Sequence, residues 1–374
     1  MKKKKIAFIE LETHSALLEQ WYFLLEAMPS IDFHFFVHQK VLDKLSAIPS
    51  EHITVIQNPI AIEKQLMDFD GLIVTTLHRH FEEFDQILKK KPSLVLLHNL
   101  NFSLFFKSID WKNLRTEKER FVYYLKLYFA EKVRSQRKSV LKADRFGVLS
   151  QSLFNYIQMQ SDSIALKTEV IPLNYCKNSG FETSEVIQIV MPGNVSNKRK
   201  DIRLLFEILP KLNPKSKLHF TFLGKPESER VLLQIENLQQ VCPEKITITH
   251  FSGFIPWEEY SKIIAKAHLL LCPIKIKTSF YWVDEFYGET KVSGSEADCI
   301  YNGKIGLFPA AYPKMDWHNL YYGNGTELTD IINNLTAEYL EAEYQKLQPY
   351  LGKYTFESVK QQLENQLVQL ANTN

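Results

Sequence analysis

The 374-residue sequence has little of what marks several common classes of protein. Its four cysteines are scattered, without the close pairs that bind zinc or carry redox chemistry. We expect them to be small apolar side chains in a reducing compartment. No apolar run approaches the length of a membrane span. The formal net charge is only +2, so any anion site must be local, and no nucleic acid partner is expected.

The sequence also argues against a secretion signal and against a metal-binding carboxylate motif. The start, MKKKK, resembles a signal sequence, but Glu10 and Glu12 interrupt the apolar stretch that follows. We therefore expect a cytoplasmic protein. The one Asp-x-Asp triplet, at 68–70, precedes a strand predicted over 71–75 and so belongs to its amino end. We predict no metal site there and no obligatory cofactor.

The sequence does contain alternating strand and helix patterns, in two successive halves. Short apolar runs predict buried strands at 6–9, 33–37, 53–56, 71–75, 94–97 and 146–149, with helical spacing over 15–27 and 81–90. The pattern restarts at 187–191, 202–209, 218–223, 246–251, 257–267 and 269–273. A polar stretch at 177–180 separates the halves.

Strands that alternate with helices predict parallel sheets covered on both faces. We therefore predict an α/β protein with two Rossmann-like, doubly wound domains that face each other across a cleft. The expected boundaries are 1–177 and 181–354, with a final helix over 355–374 that returns to the first domain. Ligands of such domains bind at the carboxyl ends of the strands.

Two loops have the composition of anion-binding sites. Residues 287–295, YGETKVSGS, place glycines, hydroxyls and Lys291 directly before a predicted helix, whose N-terminus attracts anions. Nearby Glu289 and Asp298 can accept hydrogen bonds from sugar or ribose hydroxyls. Residues 192–201, PGNVSNKRKD, place three cations before another helix, where they oppose its dipole unless a polyanion is bound. An ordinary helix cap and a solvated basic turn are the alternatives.

The order of these motifs resembles a known family. The segments that carry the resemblance are Pro-Gly-Asn at 192–194, the basic turn, Phe-Leu-Gly at 222–224, 251–256, 267–273 and the loop that precedes Gly303. Together they are similar to the carboxyl-terminal domain of GT-B glycosyltransferases, in particular the bacterial retaining enzymes that use nucleotide-diphosphate sugars. In the first half, His98 after the strand at 94–97 resembles the histidine that approaches the donor sugar in that group.

The resemblance implies roles for particular residues. It implies a donor diphosphate site, a site for the donor sugar and ribose, a base-binding strand end, a catalytic pair and an acceptor-side histidine. The diphosphate residues are Gly193, Asn194, Arg199, Lys200, Lys291, Ser293 and Gly294. The sugar and ribose residues are Glu289, Thr290 and Asp298, the base residues are Gly253 and Phe254, the catalytic pair is His98 and Asp298, and the acceptor residue is His14.

Several positions depart from the family pattern. Asn194 stands where the group usually has an arginine, and we expect Arg199 or Lys200 to take over the role of that arginine. The two family glutamates correspond to Asp298, counted back from Gly303, and to Thr290 beside Glu289. The usual glycine-rich loop after the first strand is replaced by ELETH at 10–14. These departures leave the sugar and the stereochemical outcome open.

The resemblance implies transfer of a sugar from a nucleotide-sugar donor to a glycan or lipid-linked acceptor in bacterial surface polysaccharide synthesis. A nucleotide-sugar epimerase and a catalytically degenerate glycan- or partner-binding protein are the alternatives. The segment 115–142 is basic and aromatic with helical spacing. It fits either a domain helix with a solvated basic face or peripheral contact with the inner membrane face, where a lipid-linked acceptor would wait.

Overall fold

The computed structural model describes residues 2–105, 122, 125, 129, 138–172, 174–177, 180–253, 255–281 and 283–373. These residues divide into two compact units. The first contains Met1–Leu173, Ser279–Val292 and Phe356–Asn374, and the second contains Asn174–Thr278 and Ser293–Thr355. The segment Ser279–Val292 therefore packs with the first unit, although its place in the sequence was expected to put it in the second domain.

The first unit is built on a seven-stranded sheet in which every pairing is parallel, in the order β3-β2-β1-β4-β5-β6-β7. The strands are β1 (Lys4–Glu10), β2 (Ile31–Val37), β3 (Ile53–Val55), β4 (Gly71–Val74), β5 (Ser93–Leu96), β6 (Arg145–Val148) and β7 (Thr168–Val170). Its described helices are α1 (Ser15–Glu26), α2 (Gln39–Leu42), α3 (Phe81–Ile87), α4 (Gln151–Gln160) and α5 (Asp162–Ala165).

The central strands of this sheet form because they are apolar on both faces. All four residues of β4 and of β5 are buried, and so are Ile6, Ala7, Phe8 and Ile9 of β1. The last helix, Phe356–Ala371, buries apolar residues spaced four, four and three apart, a spacing that lines one helical face. That face packs on β1, β2, β4 and α1, so the helix completes the first unit.

The segment Ser279–Val292 is attached to the first unit by hydrogen bonds to backbone N–H groups. It includes β13 (Val283–Phe286), which pairs with β12 (Lys277–Phe280). The Glu285 carboxylate accepts from the backbone N–H of Phe102 at 2.8 Å, in the π-helical turn Asn101–Phe105. The carbonyl oxygen of Thr290 accepts from the N–H of Leu100 at 2.9 Å. These bonds fix the segment beside the residues that follow β5.

The second unit is built on a six-stranded parallel sheet in the order β10-β9-β8-β11-β14-β15. Its strands are β8 (Val186–Pro192), β9 (Lys217–Leu223), β10 (Ile246–His250), β11 (Leu269–Leu271), β14 (Gly306–Pro309) and β15 (Leu320–Tyr322). Its helices are α6 (Ile202–Ile208), α7 (Glu229–Val241), α8 (Trp257–Ala265), α9 (Gly294–Tyr301), α10 (Gly325–Asn333) and α11 (Ala337–Leu351). The helix Phe356–Ala371 is therefore α12.

The predicted pair of doubly wound α/β domains is confirmed. The strands that the sequence pattern did not reveal, such as β7, β14 and β15, are only three or four residues long. Short 3-10 turns at Ser50–His52, Pro59–Ile62, Gln65–Asp68, Leu209–Lys211 and Gly352–Tyr354 complete the connections. No helix among the described residues has both the length and the apolar character needed to cross a bilayer. Most of the segment 115–142, Phe254 and residues 178–179 of the expected linker lie outside the described residues.

Two strand ends approach each other closely in the second unit. Gly193 follows β8 with a φ of 75°, and its N–H donates to the carbonyl of Leu223 at 2.8 Å. A Cβ placed on Gly224 would lie 2.4 Å from the backbone carbon and oxygen of Gly193. Only glycine at 224 therefore allows the two strands to end side by side.

A buried carboxyl group lies in the first turn of α9. Glu296 is 7% exposed, and the Tyr312 hydroxyl donates to its Oε2 at 2.7 Å. Burial raises the pKa of Glu296 to about 7, although the Tyr312 bond opposes that rise. The folded protein therefore holds this proton more tightly than the unfolded chain does.

The close approach at Gly224 predicts a loss of stability in the variant Gly224→Ala. The new methyl group would meet backbone atoms that cannot rotate away, so the free energy of unfolding should fall by about 1–3 kcal/mol. Gly253→Ala, after the neighbouring strand β10, is the control, because a Cβ there meets nothing within 4 Å. Its stability should change by at most about 1 kcal/mol. Equal urea denaturation midpoints for the two variants would contradict the packing argument.

Glu296 predicts a fall in stability with rising pH. The pKa of Glu296 lies near 7 in the fold against an ordinary value of 4.5, so its favourable contribution to stability is complete below pH 4.5 and is lost as the pH rises through 7. Glu296→Gln cannot ionise and should flatten this fall by about 2–3 kcal/mol. Urea denaturation from about pH 5 to pH 8 measures the effect, with the exposed Glu258→Gln as control. An unchanged slope in Glu296→Gln would assign the pH dependence to other groups.

Candidate functional site

The carboxyl edge of the first sheet collects a group of polar side chains. Glu10 ends β1, Thr75 and Thr76 follow β4, and His98 comes two residues after β5. Because β1 and β4 are neighbours where the strand order reverses, their carboxyl ends lie side by side. Polar groups at this position of a doubly wound sheet are typical of a ligand-binding site.

Glu10 is an ionised carboxylate that the protein surrounds with donors. Its side chain is fully buried, and its Oε2 accepts from the hydroxyls of Thr75 at 2.7 Å and Thr76 at 2.6 Å. Its Oε1 accepts from the backbone N–H groups of Glu12 and Thr13. Burial alone raises the pKa of Glu10, but interaction with His14, including its charge when the ring is protonated, and the two hydroxyls outweigh burial and lower the pKa to about 2.

Glu10, Thr76 and His14 form a hydrogen-bonded chain, which we name the His14 relay. The Nδ1 atom of His14 lies 2.6 Å from Thr76 Oγ1 and 3.6 Å from Glu10 Oε2. Since the ionised carboxylate can only accept, the Thr76 hydroxyl donates its hydrogen bond to Glu10 and accepts one from the His14 Nδ1–H. In the neutral ring the lone pair is then on Nε2. The His14 side chain is 32% exposed, so this ring remains accessible.

His98 stacks on His14 with ring centroids 3.9 Å apart and planes 9° from parallel. The carbonyl oxygen of Thr75 lies 2.7 Å from His98 Nε2, so Nε2 carries the proton and Nδ1 the lone pair. Burial lowers the pKa of His98 well below its ordinary value, and the neighbouring charge of His14 adds to that effect. His98 is therefore a neutral acceptor at pH 7.

A second hydrogen-bonded chain adjoins these residues in the first unit. Lys291 Nζ donates to Asn99 Oδ1 at 2.6 Å, and Asn99 Nδ2 lies 3.2 Å from His78 Nε2. The His78 ring centroid lies 4.5 Å from that of Phe280. Burial lowers the pKa of His78 to about 3, with further lowering from the charges of His14 and Lys291.

The loop 287–295, which the sequence assigned to the donor, is divided between the units. Lys291 lies in the first unit with Thr290 and Glu289. Thr290 is fully buried, and its hydroxyl accepts from the N–H of Phe286 at 2.8 Å, which closes the turn. Glu289 is exposed. Ser293 and Gly294 belong to the second unit.

In the second unit, the basic turn after β8 buries one of its three cations and leaves the other two exposed. Lys200 is 8% exposed, and its ammonium group donates to the carbonyl oxygens of Pro192 and, at 2.8 Å, of Gly193. Burial lowers the pKa of Lys200 to about 8. Arg199 and Asn194 are exposed. Lys200 thus stabilises the end of β8 through these hydrogen bonds, while Arg199 is accessible to an anion.

The start of α9 has an open N-terminus. Ser293 caps it by accepting from the N–H of Ser295 at 3.2 Å, and a Cβ on Gly294 would meet nothing within 4 Å. One turn later, Asp298 Oδ2 accepts from the Tyr260 hydroxyl at 3.0 Å. Burial raises the pKa of Asp298 to about 6, while the Tyr260 bond and the charge of Lys200 lower it. Asp298 is therefore partly protonated just below neutral pH.

The remaining predicted base site follows β10. Gly253 is exposed and unobstructed there, whereas Phe254 lies outside the described residues. The contacts of Glu10, Thr76, Asn99 and Tyr260 with the candidate residues were not foreseen from the sequence. The only sequence signal for the first two was polar residues at predicted strand ends. Among the described residues, no group of three or more His, Cys, Asp or Glu side chains is arranged to hold a metal ion.

Comparison with known proteins gives similarity in structure and none in sequence. Neither the protein-family models nor the curated protein sequences match this chain. Three solved structures illustrate the fold similarity. The N-terminal domain of Candida albicans trehalose-6-phosphate phosphatase is 13% identical with a TM-score of 0.60, and the match covers 98% of this chain and 97% of that one.

Anabaena HepE, solved in complex with UDP, is likewise 13% identical with a TM-score of 0.60, over 98% of this chain and 100% of that one. The apo form of the lipopolysaccharide outer core galactosyltransferase WaaB is 12% identical with a TM-score of 0.57, over 98% and 99% of the two chains. The similarity extends over nearly the whole chain and agrees with two Rossmann-like sheets. The protein therefore has a GT-B glycosyltransferase-like fold.

Proposed function

We propose that the protein is a glycosyltransferase that moves a sugar from a nucleotide-diphosphate donor to a hydroxyl group of a glycan or lipid-linked acceptor. The observation that carries this proposal is the His14 relay. An acceptor hydroxyl must lose its proton as its oxygen attacks the sugar, and a positioned neutral histidine is suited to take that proton. Its accessible Nε2 lone pair makes His14 the base of the proposed reaction.

The relay also supplies the electrostatics that such a base needs. When His14 takes a proton on Nε2, both ring nitrogens carry protons and the ring is a cation. Thr76 then continues to accept from Nδ1–H, and the buried Glu10 carboxylate at 3.6 Å stabilises the positive charge. His98, stacked on His14 and neutral, is proposed to accept a hydrogen bond from a sugar hydroxyl.

The donor is proposed to bind the second unit. Its leaving diphosphate gains negative charge as the glycosidic bond breaks, and a fixed cation and free N–H groups stabilise that charge. Arg199 offers an exposed cation after β8, and Ser293 and Gly294 begin α9 with an open approach. Gly193 and Asn194 would contribute backbone and side-chain donors, and Lys200 would shape their strand end from inside.

The other donor groups are proposed from their positions. Asp298 and Glu289 would accept from sugar or ribose hydroxyls, and the strand end at Gly253 would accommodate the base. Since HepE was solved with UDP, UDP is the first nucleotide to test. The similarity in fold to a lipopolysaccharide galactosyltransferase supports a role in bacterial surface polysaccharide synthesis in the cytoplasm, at the inner membrane face if the acceptor is lipid-linked.

The His14 relay predicts a large effect of His14→Ala on turnover. Loss of a positioned base should reduce kcat/KM by about 10²–10⁴-fold, with UDP affinity unchanged. Thr76→Val, which keeps the shape but removes the hydroxyl, should reduce turnover while Thr76→Ser retains most of it. His219→Ala, a partly exposed histidine in the second sheet, is the control. UDP-sugar consumption in the presence of acceptor measures the rates. Donor turnover equal to that of the control in His14→Ala would exclude His14 as the base.

Arg199 predicts a change in nucleotide affinity. Arg199→Ala should weaken UDP binding by about 1.5–3 kcal/mol, because a charge-assisted hydrogen bond to phosphate is lost. The adjacent exposed Lys198→Ala is the matched control and should keep most of the affinity. Titration calorimetry measures both, and thermal melting confirms that they are folded. Equal UDP affinities of Arg199→Ala and Lys198→Ala would exclude Arg199 from the diphosphate site. UDP binding without any transfer or hydrolysis would favour a non-catalytic binding protein.

A further inference from the structure

The chain formed by Lys291, Asn99 and His78 has no part in the proton transfer proposed above, and we name it the His78 relay. All three residues belong to the first unit. Lys291 Nζ lies 2.6 Å from Asn99 Oδ1, and Asn99 Nδ2 lies 3.2 Å from His78 Nε2. Lys291 Nζ also lies 5.2 Å from the centroid of the Phe280 ring, in a cation–π contact.

The charge on Lys291 determines the arrangement of the whole relay. An ammonium group only donates hydrogen bonds, so the Asn99 atom that faces Lys291 must be the amide oxygen. The amide nitrogen of Asn99 then necessarily faces His78 and donates to it. His78 Nε2 must accept that bond, and its ring proton is therefore on Nδ1. The position of Lys291 thus selects one tautomer of His78, to which it is linked through two successive hydrogen bonds.

The surroundings of His78 keep the ring neutral. The residue is 8% exposed, and its ring contacts Phe280 at 4.5 Å and Phe102 at 5.8 Å between centroids. The positive charges of Lys291 and Arg79, and that of His14 when its ring is protonated, act against protonation of His78, and Glu10 is the carboxylate that opposes them. A neutral ring with a proton on Nδ1 can donate one hydrogen bond from that atom.

We infer that Lys291 is a positioning residue, which orients Asn99 and thereby holds His78 as a hydrogen-bond donor beside the lone pairs of His14 and His98. His78 lies next to His98, with ring centroids 6.4 Å apart. A neutral set of one donor and two acceptors matches the hydroxyl groups of an uncharged sugar, since each hydroxyl both donates and accepts. The ligand class rests on the proposed function, whereas the tautomer of His78 does not.

This role differs from the phosphate contact that the sequence suggested for Lys291, and one variant separates the two. Lys291→Met keeps the length of the side chain but removes its charge. If Lys291 positions Asn99, the amide becomes free to turn, His78 becomes a mixture of tautomers, and UDP affinity stays within about twofold of the original. If Lys291 binds phosphate, UDP affinity falls about tenfold or more, while the tautomer of His78 does not change.

Nitrogen NMR of ligand-free protein that is uniformly labelled with nitrogen and carbon isotopes reads the tautomer directly. The His78 signals are assigned through bonds to the backbone of Leu77 and Arg79, so no His78 variant has to fold. The unaltered protein should show the Nδ1–H form. Asn99→Asp should show the Nε2–H form, because a carboxylate accepts where the amide donated. Lys89→Met, an exposed lysine of the same unit, should leave the His78 signals unchanged.

Turnover completes the test. Misplacement of the His78 donor should reduce kcat of Lys291→Met by about 10- to 100-fold, and Lys89→Met should match the unaltered protein. An Nε2–H tautomer in the unaltered protein, or an unchanged tautomer in Lys291→Met, would overturn the inference. Because the NMR signals are recorded without ligand, they test the tautomer of His78 independently of the proposed function. UDP binding and sugar transfer test the proposed function.

Discussion

The first unit depends on keeping one negative charge inside a parallel sheet. A buried carboxylate is strongly destabilising unless donors surround it. Glu10 has four, two from the hydroxyls after β4 and two from the backbone that leads into α1. The same bonds that make the charge tolerable also fix the loop that carries His14. The stability of the first unit and the orientation of His14 therefore depend on the same hydrogen bonds to Glu10, and a change that removes these bonds affects both.

The two halves of the proposed chemistry use burial in opposite ways. In the first unit, burial lowers the pKa values of His78 and His98 and keeps both rings neutral. Each ring can then form hydrogen bonds with a ligand without carrying a charge. In the second unit, burial brings Asp298 and Lys200 close to titration near neutral pH, while Arg199 keeps its charge in solvent. Neutral histidine rings suit sugar hydroxyls, and an exposed cation suits phosphate. This difference in environment supports the proposed division of labour.

The sequence predicted the two sheets well, because long buried strands such as β1, β8 and β9 are apolar over most of their length. It also placed His14 and His98 after strands, where they are found. It could not show that Lys291 bonds to Asn99, 192 residues away, or that the Lys200 side chain turns inward to its own strand end. Both facts depend on tertiary packing, and a local pattern of charge contains no information about which cation is buried.

Neither unit is continuous in the chain, and this affects how the protein is made. The first unit needs Ser279–Val292 and Phe356–Asn374, so it lacks part of its structure until both segments have been synthesised. The face of the first sheet that α12 covers, including Gly71 beside Leu370, would stay exposed during synthesis. Domains usually fold as units from the N-terminus during synthesis. Here the first unit must wait for Phe356–Asn374, which follow the second unit in the chain, so its folding is tied to synthesis of the second unit.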